Sequence, residues 1–247
     1  MRAVILAAGR GKRLLPLTEK SPKPLTSILG KPLLEHTIET LKEAAVEDVI
    51  IVTGYLGHTI QEYFGDGAKV HVKIRYAYNP VHKHGNAASL KVAQELLAED
   101  EAFLLLMSDH LIDVNIVRKA LQNVEHKPLL CVDRRPSYLH QIKEATRVLV
   151  NSRGYITKIG KDITPWNGFD TGVFLLDSRI FEVIEQAEKP YPVTISDCIK
   201  KLIRNNKPLW ACDVSKLFWL DIDTFDDVRI AELILQEEMR CRENGTA

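Results

Sequence analysis

Residues 2–24 read RAVILAAGRGKRLLPLTEKSPKP, and the interpretation of the whole chain begins from this stretch. It opens with an apolar run from Ala3 to Ala8, the kind that forms a strand buried on both faces of a sheet. The chain then turns at Gly9 and Gly11, where a bare backbone can approach a ligand and offer successive N–H groups to an anion. Because such turns at the carboxyl end of a strand form the usual ligand crevice of α/β sheets, we predict a phosphate-binding loop here.

Positive charge is concentrated around this turn. Residues 1–31 carry one acidic side chain, Glu19, and a net charge of +6, whereas the whole chain has a formal charge of zero. The basic residues of that range are Arg2, Arg10, Lys12, Arg13, Lys20, Lys23 and Lys31. A local excess of this kind indicates a site for a small polyanion rather than general affinity for nucleic acid. The plain alternative is a solvated basic loop that merely follows a strand.

Two common phosphate-loop motifs do not fit. A dinucleotide-binding fingerprint needs a third glycine where Leu14 stands and a helix directly after it, but Pro16, Pro22 and Pro24 predict an irregular chain until about Pro32. A Walker A loop needs Gly-Lys-Ser/Thr after four intervening residues, and that motif is absent. The loop is therefore interpreted as a phosphate loop of another family.

The pattern L-A-A-G-x-G-x-R-L-x-P-L-T over Leu6–Thr18, followed by S-P-K-P-L over Ser21–Leu25, resembles the sugar-phosphate nucleotidyltransferases. The resemblance implies transfer of a nucleoside monophosphate from a nucleoside triphosphate to a small phosphorylated acceptor, with release of pyrophosphate and a requirement for Mg²⁺. It assigns Arg13 and Lys23 to the phosphates as catalytic cations. Its motifs also imply a set of nucleotide-binding residues. These are Leu6, Ala7, Ala8, Gly9, Gly11, Gly54, Asn79, Gly85, Asn86 and Ser108.

Working outward, apolar strands alternate with amphipathic helical patterns through residues 1–133, which predicts a mostly parallel sheet covered by helices on both faces. After Asp133 the pattern changes to a hairpin at Thr146–Ile159 and further strands, which we expect to extend the sheet antiparallel and form a lid for the acceptor. The expected fold class is α/β, as one Rossmann-like nucleotidyltransferase domain over 1–247. Residues 1–133 would bind the nucleotide, and residues 134–247 would supply the acceptor site and a C-terminal helix.

Composition is that of an ordinary globular chain, with 45% hydrophobic and 27% charged residues among 247. No apolar run approaches the ~18 residues that a membrane helix needs, and no secretory signal pattern is present. Four cysteines lack C-x-x-C spacing, which argues against zinc or redox chemistry and favours a reducing cytoplasm. We expect a cytoplasmic enzyme without a nucleic-acid partner; a homo-oligomer is compatible with the sequence.

Acidic residues stand where a metal site is expected. Asp109 follows the apolar strand Phe103–Met107 after Ser108, at the sheet's carboxyl edge, and Asp221 and Asp223 face the same way if Trp219–Ile222 is a strand. Carboxylates together with substrate phosphates are the usual ligands of Mg²⁺. The resemblance matches Asp109 and Asp221 to the family's metal ligands. Asp109 and Asp223 could alternatively cap the helices that follow them.

The acceptor side departs from the hexose-phosphate members of the family. Lys161 in Ile159-Gly-Lys stands where those members have Glu-Lys-Pro, and Asp170-Thr171-Gly172 replaces Asn-Ala-Gly, so the resemblance implies an acceptor other than glucose or mannose phosphate. Together with Met107-Ser-Asp-His110 and Trp219–Thr224, these segments are most similar to the cytidylyltransferases that act on inositol 1-phosphate. The alternatives are a sugar-1-phosphate or phosphocholine nucleotidyltransferase, or a non-catalytic regulatory subunit. Such a subunit is expected to lose Arg13, Lys23 or the carboxylates, all of which are present.

Overall fold

The computed structural model describes residues 1–98, 100–136, 145–186 and 192–243. Its strands are β1 Arg2–Ala7, β2 Ser27–Ile28, β3 Lys31–Pro32, β4 Asp48–Thr53, β5 Lys73–Tyr78, β6 Phe103–Met107, β7 His110–Ile112, β8 Leu129–Asp133, β9 Arg147–Val150, β10 Ile156–Gly160, β11 Gly168–Leu176, β12 Trp210–Asp213 and β13 Trp219–Asp221. Its α-helices are α1 Leu33–Glu43, α2 Gly57–Phe64, α3 Asn86–Lys91, α4 Val114–Gln122, α5 Arg179–Glu185, α6 Ile195–Arg204 and α7 Phe225–Glu243.

One nine-stranded mixed sheet organises these elements. Its order is β10-β9-β11-β6-β1-β4-β5, and β8 joins β11 on one side and β12 on the other. Strands β6, β1, β4 and β5 are mutually parallel, while β11 runs antiparallel to β6, β8 and β9, and β10 runs antiparallel to β9. Among the described residues, β10 and β11 alone oppose the other seven strands. The predicted α/β fold with a mostly parallel sheet is therefore confirmed, as is its antiparallel addition.

The central strand β1 is buried on both faces, as its apolar run predicts. Alternate side chains of β1 point to opposite sides of the sheet. Ala3 and Ile5 pack in the layer that contains α1 and α4, whereas Val4 and Leu6 pack in the layer with α3, α5 and α6. Burial on both faces leaves the ends of the strands as the places where polar side chains meet solvent and ligands.

A second, smaller ribbon lies at the carboxyl edge of the large sheet. β7 pairs antiparallel with β13, and beneath them Leu111, Leu220 and Ile222 pack against Ala231 of α7. The sequence Thr224-Phe-Asp-Asp227 has the form of a capping box, and helix α7 begins with one: the Thr224 hydroxyl accepts from the Asp227 N–H, and the Asp227 carboxylate accepts from the Thr224 N–H. Asp223 does not cap α7 with its carboxylate, which leaves that group for other contacts.

Some predicted boundaries were wrong. The spacing of apolar residues predicts a helix over Gly85–Leu97. The α-helix ends at Lys91, because the chain tightens into 3₁₀ geometry over Gln94–Leu97. The sequence also predicts a strand over Val70–Tyr78. This strand begins at Lys73, because His71 adopts a positive φ of 58° that extended chain does not allow. In the described ranges, no helix is both long enough and apolar enough to cross a membrane.

Candidate active site

The glycine-rich turn folds tightly against the segment that follows it. Gly11 has φ +64°, and a Cβ at this position would lie 2.6 Å from Cβ of Lys23, so glycine is required both by the backbone and by close approach. The buried Thr18 hydroxyl donates to the Gly11 carbonyl at 2.8 Å. These contacts hold the stem of Lys23 against the turn and direct its ammonium group toward the end of β6.

Lys23 lies at the centre of three carboxylates. Its Nζ is 2.8 Å from Oδ2 of Asp109, 2.7 Å from Oδ1 of Asp223 and 3.9 Å from Oδ1 of Asp221. Arg13 forms a further ion pair with Asp223. The lysine is only 7% exposed, so this cluster joins the phosphate loop to the carboxylates through a buried charge.

Two strand ends bring the carboxylates together. Asp109 lies between β6 and β7, and its carbonyl accepts from the Ile222 N–H at 2.8 Å. Asp221 pairs with His110 in the β7–β13 register, which places these two side chains on one face of the ribbon. The buried indole N–H of Trp219 donates to the Asp133 carboxylate at 2.9 Å and fixes the start of β13. The two acidic motifs that are 112 residues apart in sequence thus share one site.

The electrostatic environment of the cluster is uneven. Burial alone would lower the pKa of Lys23, but Asp109, Asp221 and Asp223 outweigh it and raise that pKa, so the lysine stays charged. Burial opposes ionisation of Asp109, yet Lys23 and His110 hold its pKa well below the usual range. Asp221 differs, because burial raises its pKa to about 7 and the charge of Asp109 adds to the effect. Asp221 is therefore the carboxylate that most lacks a neutralising partner.

This donor set fits a divalent cation. Three residues, Asp109, His110 and Asp221, each offer one potential ligand atom, and these three atoms lie within 4.8 Å of one another. Oδ1 of Asp221 is buried and makes no hydrogen bond in the part of the chain that the structure describes. Oxygen ligands of this kind suit Mg²⁺, whose binding would supply the missing positive charge. Asp223, predicted as a third ligand, lies outside this group of three and instead pairs with Lys23 and Arg13.

A cavity of about 380 Å³ extends from the glycine-rich turn to the carboxylates. Of the predicted site residues, it brings together Leu6, Ala8, Gly9, Gly11, Arg13, Lys23, Gly85, Asn86, Ser108, Asp109 and Asp223. A Cβ at Gly85 would lie 2.1 Å from the Val193 carbonyl, so this predicted nucleotide-binding residue is packed closely against the segment that leads into α6. The Asn86 side-chain carbonyl accepts from the Ile195 N–H at 2.8 Å. The first cavity is thus closed on one side by the second half of the chain.

Three residues predicted to bind the nucleotide do not line this cavity. Ala7 is buried within the sheet at 1% exposure. Gly54 packs directly against the residue that precedes the glycine-rich turn, since a Cβ at position 54 would lie 2.9 Å from Ala8. Asn79 is fully buried, donates to the Ser89 hydroxyl and accepts from the Val81 N–H. These three positions support the residues that line the cavity and do not line it themselves.

A second cavity, of about 510 Å³, lies on the other side of Arg13. The predicted acceptor residues Lys161, Asp170 and Gly172 line it, together with Asp221 of the carboxylate cluster. Thr171 does not: it is fully buried, and its hydroxyl donates to the Cys131 carbonyl at 2.9 Å. Burial raises the pKa of Asp170 to about 6, while its Oδ1 accepts from the Gly172 N–H at 2.8 Å.

The two cavities share part of their lining, namely Arg13, Asn86, Met107 and Asp223. A ligand in the first cavity and a ligand in the second would meet at this border, next to Lys23 and the carboxylates. The arrangement can therefore hold two anionic substrates end to end and neutralise charge where they meet.

Sequence reasoning missed several cavity residues. Ile195 and Ser196 reach the second cavity from the N-terminus of α6, and Asp226 reaches it from α7. No motif marks these positions, because they enter the site only through helix packing. His110 had a detectable signal, since it directly follows Asp109 at a strand end, but it received no role.

Comparison with known proteins adds the following findings. The family model described as nucleotidyl transferase matches residues 2–133. A relative from Aquifex aeolicus named "Bifunctional IPC transferase and DIPP synthase" is 36% identical over 239 residues, covering 94% of this chain and 51% of the relative. A protein of the same name from Thermococcus kodakarensis is 32% identical, covering 95% of this chain and 50% of the relative. The chain thus spans about half the length of these curated relatives.

Solved structures agree with the fold. The inositol-1-phosphate CTP transferase from T. maritima superposes with a TM-score of 0.79 at 28% identity, covering 94% of both chains. A UDP-glucose pyrophosphorylase complexed with UDP-glucose superposes with a TM-score of 0.81 at 19% identity, covering 96% of this chain and 98% of that one. The second likeness shows a common fold.

Proposed function

This chain belongs to the nucleotidyl transferase family, and from that premise we propose that it transfers CMP from CTP to inositol 1-phosphate, with Mg²⁺ and with release of pyrophosphate. The observation that carries the proposal is the pair of cavities that meet at Arg13 beside Lys23 and the carboxylates. One cavity has the glycine-rich turn expected for a triphosphate, and the other has a polar lining suited to a polyol phosphate.

The choice of CTP and inositol 1-phosphate is supported by one structural neighbour, the T. maritima transferase, which this chain matches over 94% of both lengths. The chain spans about half of the length of the bifunctional relatives, and the proposal concerns the transferase activity. We propose that residues 1–247 act as one unit in the cytoplasm. Residues 1–133 and 134–247 both contribute to the second cavity, through Arg13 and His110 from the first range and Asp170 from the second.

The attacking group needs no protein base in this reaction. The second pKa of a phosphomonoester is about 6, so the acceptor oxygen is already ionised at neutral pH. What the protein must do is align that oxygen with the α-phosphorus and neutralise the departing pyrophosphate. Arg13 lies at the border of the cavities, and Lys23 lines the first cavity beside it. Both cations are held by Asp223, and Lys23 also by Asp109, so they suit that task.

Asp109 and Asp221 would hold the metal ion, with the His110 ring beside them. When bound, Mg²⁺ supplies positive charge that reduces repulsion between two phosphate-bearing substrates. Asp223 keeps Lys23 and Arg13 in place from the opposite side. On this proposal Lys161 binds the acceptor's phosphate, and Asp170 and the Gly172 segment face its hydroxyls.

A second candidate acceptor is phosphocholine, because the second cavity has more carboxylates than cations. Its acidic lining residues are Asp170, Asp221, Asp223, Asp226 and Asp227. Its cations are Arg13, Lys161 and His110, whose pKa is raised to about 9 because Asp221 and Asp109 outweigh the effect of burial. An excess of negative charge would favour a cationic headgroup. A sugar 1-phosphate remains the other alternative in the family. A regulatory subunit is disfavoured, because the cations and carboxylates are both present and in contact.

The deciding experiment is a screen of pyrophosphate release. The purified protein with MgCl₂ is incubated with CTP, UTP, dTTP or GTP and with inositol 1-phosphate, glucose 1-phosphate, mannose 1-phosphate or phosphocholine. We expect release with CTP and inositol 1-phosphate, and background release from the Asp109→Asn protein prepared in the same way. Preference for another pair would replace the proposed substrates, and no release with any pair would support the non-catalytic alternative.

A further inference from the structure

We propose that His110 is the specificity-determining residue of the acceptor site: it binds an acceptor hydroxyl through Nε2 while holding Asp109 through Nδ1. This inference rests on the proposed function, because it concerns the polyol phosphate of the second cavity. It adds a role for a side chain to which neither the motifs nor the comparisons give one.

The position of the ring between the two cavities is the first argument. Asp109 lines the first cavity and not the second, whereas His110 lines the second and not the first. The Nδ1 atom of His110 lies 2.9 Å from Oδ1 of Asp109. One five-membered ring therefore spans from the carboxylate on the nucleotide side to the space predicted for the acceptor.

The two carboxylate oxygens of Asp109 have different hydrogen-bond partners. Oδ2 accepts from Lys23 at 2.8 Å, and Oδ1 is the partner of the His110 ring. The carboxylate is thus fixed from both sides, and its orientation depends on the imidazole. A residue that orients a metal ligand in this way is expected to affect metal affinity, because the affinity depends on the orientation of that ligand.

Gly172 supplies the second argument, because it leaves room for the ring on the acceptor side. A Cβ at this position would lie 3.0 Å from both Nε2 and Cδ2 of His110. Gly172 has φ +77°, and its N–H is held by Asp170, so the β11 backbone passes closely along the imidazole edge. This contact orients the ring and places Nε2 at the same wall as Asp170.

The chemistry of the pair suits a polyol. A hydroxyl both donates and accepts, so it can bind Nε2 in either protonation state of the ring, and it can donate to a carboxylate such as Asp170. A site that hydrogen-bonds substrate hydroxyls rejects analogues that lack them, because its polar groups are then left unpaired. His110 and Asp170 together therefore discriminate a ring polyol phosphate from a smaller phosphate ester.

Two substitutions test the roles of the two ring nitrogens separately, because the side-chain amide of each variant can replace a different nitrogen. In His110→Asn the side-chain amide can replace Nδ1 beside Asp109 but is too short to replace Nε2. In His110→Gln the amide can replace Nε2, while the contact with Asp109 is lost. Steady-state kinetics are measured for CTP and inositol 1-phosphate, with glycerol phosphate as the smaller acceptor, and Mg²⁺ affinity is measured without substrates by titration calorimetry.

We expect His110→Asn to raise KM for inositol 1-phosphate about tenfold, equivalent to 1.4 kcal/mol, with KM for CTP unchanged within about twofold. The kcat/KM preference for inositol 1-phosphate over glycerol phosphate should fall by a similar factor. His110→Gln should retain most of that preference and instead weaken Mg²⁺ binding. Equal losses for both substrates in His110→Asn, or an unchanged acceptor preference, would overturn the inference. Melting temperatures of both variants show whether the fold is retained, and retention in either one is sufficient for the test.

Failure of the proposed function is recognised separately, in the wild-type protein. If the wild-type protein prefers another hydroxyl-bearing acceptor, such as glucose 1-phosphate, the same variants are compared on that acceptor and the expectation for His110 is unchanged. A preference for phosphocholine, which has no alcohol hydroxyl, would overturn the inference. If the wild-type protein neither turns over nor binds any phosphorylated acceptor, the proposed function is wrong and the role of His110 is wrong with it.

Discussion

Replacing Lys23 by methionine would test whether the buried cation holds the carboxylate cluster together. The substitution keeps most of the apolar stem, which lies against Gly11, but removes the ammonium group that contacts Asp109 and Asp223 at 2.8 and 2.7 Å. Three carboxylates would then face one another, with Arg13 as the cation that still pairs with Asp223.

The magnitude follows from the burial of the lysine. Breaking a buried ion pair by removing one partner costs about 3–5 kcal/mol, and we use about 3 because Arg13 remains beside Asp223. For a domain of this size 1 kcal/mol lowers Tm by about 2–4 °C, so the expected fall is about 6–12 °C. This value applies without divalent cations, in the presence of a chelator.

Thermal unfolding followed by circular dichroism, with and without MgCl₂, measures the effect. The matched control is Lys31→Met, because Lys31 pairs with Glu39 at 2.6 Å but is 35% exposed, and surface pairs contribute only about 0–1 kcal/mol. Without the ammonium group the three carboxylates lack their buried cation, so we expect Mg²⁺ to bind the variant more tightly than the wild type. Because a ligand that binds only the native state stabilises it, MgCl₂ should raise the Tm of Lys23→Met more than that of the wild type.

Two results would refute the reasoning. If Lys23→Met and Lys31→Met lowered Tm equally, the buried cluster would contribute no more than a surface pair. If MgCl₂ left the Tm of Lys23→Met unchanged, the three carboxylates would not form a cation site.

Further predictions concern turnover, substrate affinity and pH. Asp109→Asn and Asp221→Asn should each lower kcat by at least about 10²-fold with the fold retained by circular dichroism; near-wild-type turnover of either variant with MgCl₂ would disprove the metal assignment. Arg13→Ala should lower kcat and kcat/KM together in steady-state assays, because charge develops on the departing pyrophosphate, whereas a change in KM alone would make Arg13 a ground-state anchor. Lys161→Ala should raise KM for the acceptor about tenfold and leave KM for CTP unchanged; equal effects on both substrates would place Lys161 at the nucleotide. Burial raises the pKa of the Asp170 carboxyl from 3.8 to about 6. The protonated carboxyl therefore contributes its full stability below pH 3.8, and this contribution is lost as the pH rises through about 6. Asp170→Asn should therefore stabilise the protein by about 1–3 kcal/mol at pH 8 and by roughly half as much at pH 5, measured by urea unfolding; a gain independent of pH would show that this carboxyl is not perturbed.

The sequence by itself determined the fold class and indicated the segments that form the two sides of the candidate site. The apolar run of β1, the turn at Gly9 and Gly11, and the acidic residues at two strand ends are local patterns with local causes. Periodicity decides which faces are buried, and backbone conformation decides where glycine must stand. Both are properties of a few neighbouring residues, so they can be recognised without knowledge of the rest of the chain.

Only the tertiary structure decided which residues meet. Lys23, Asp109 and Asp223 are separated by up to 200 residues, and their contact depends on strand order and on the β7–β13 register. Asn79 and Thr171 belong to predicted motifs but are buried as structural hydrogen-bonding groups, whereas Ile195 and Ser196 have no motif and line the second cavity. Packing of distant elements sets each of these outcomes, because whether a polar side chain reaches a ligand or a neighbouring backbone group depends on what covers it.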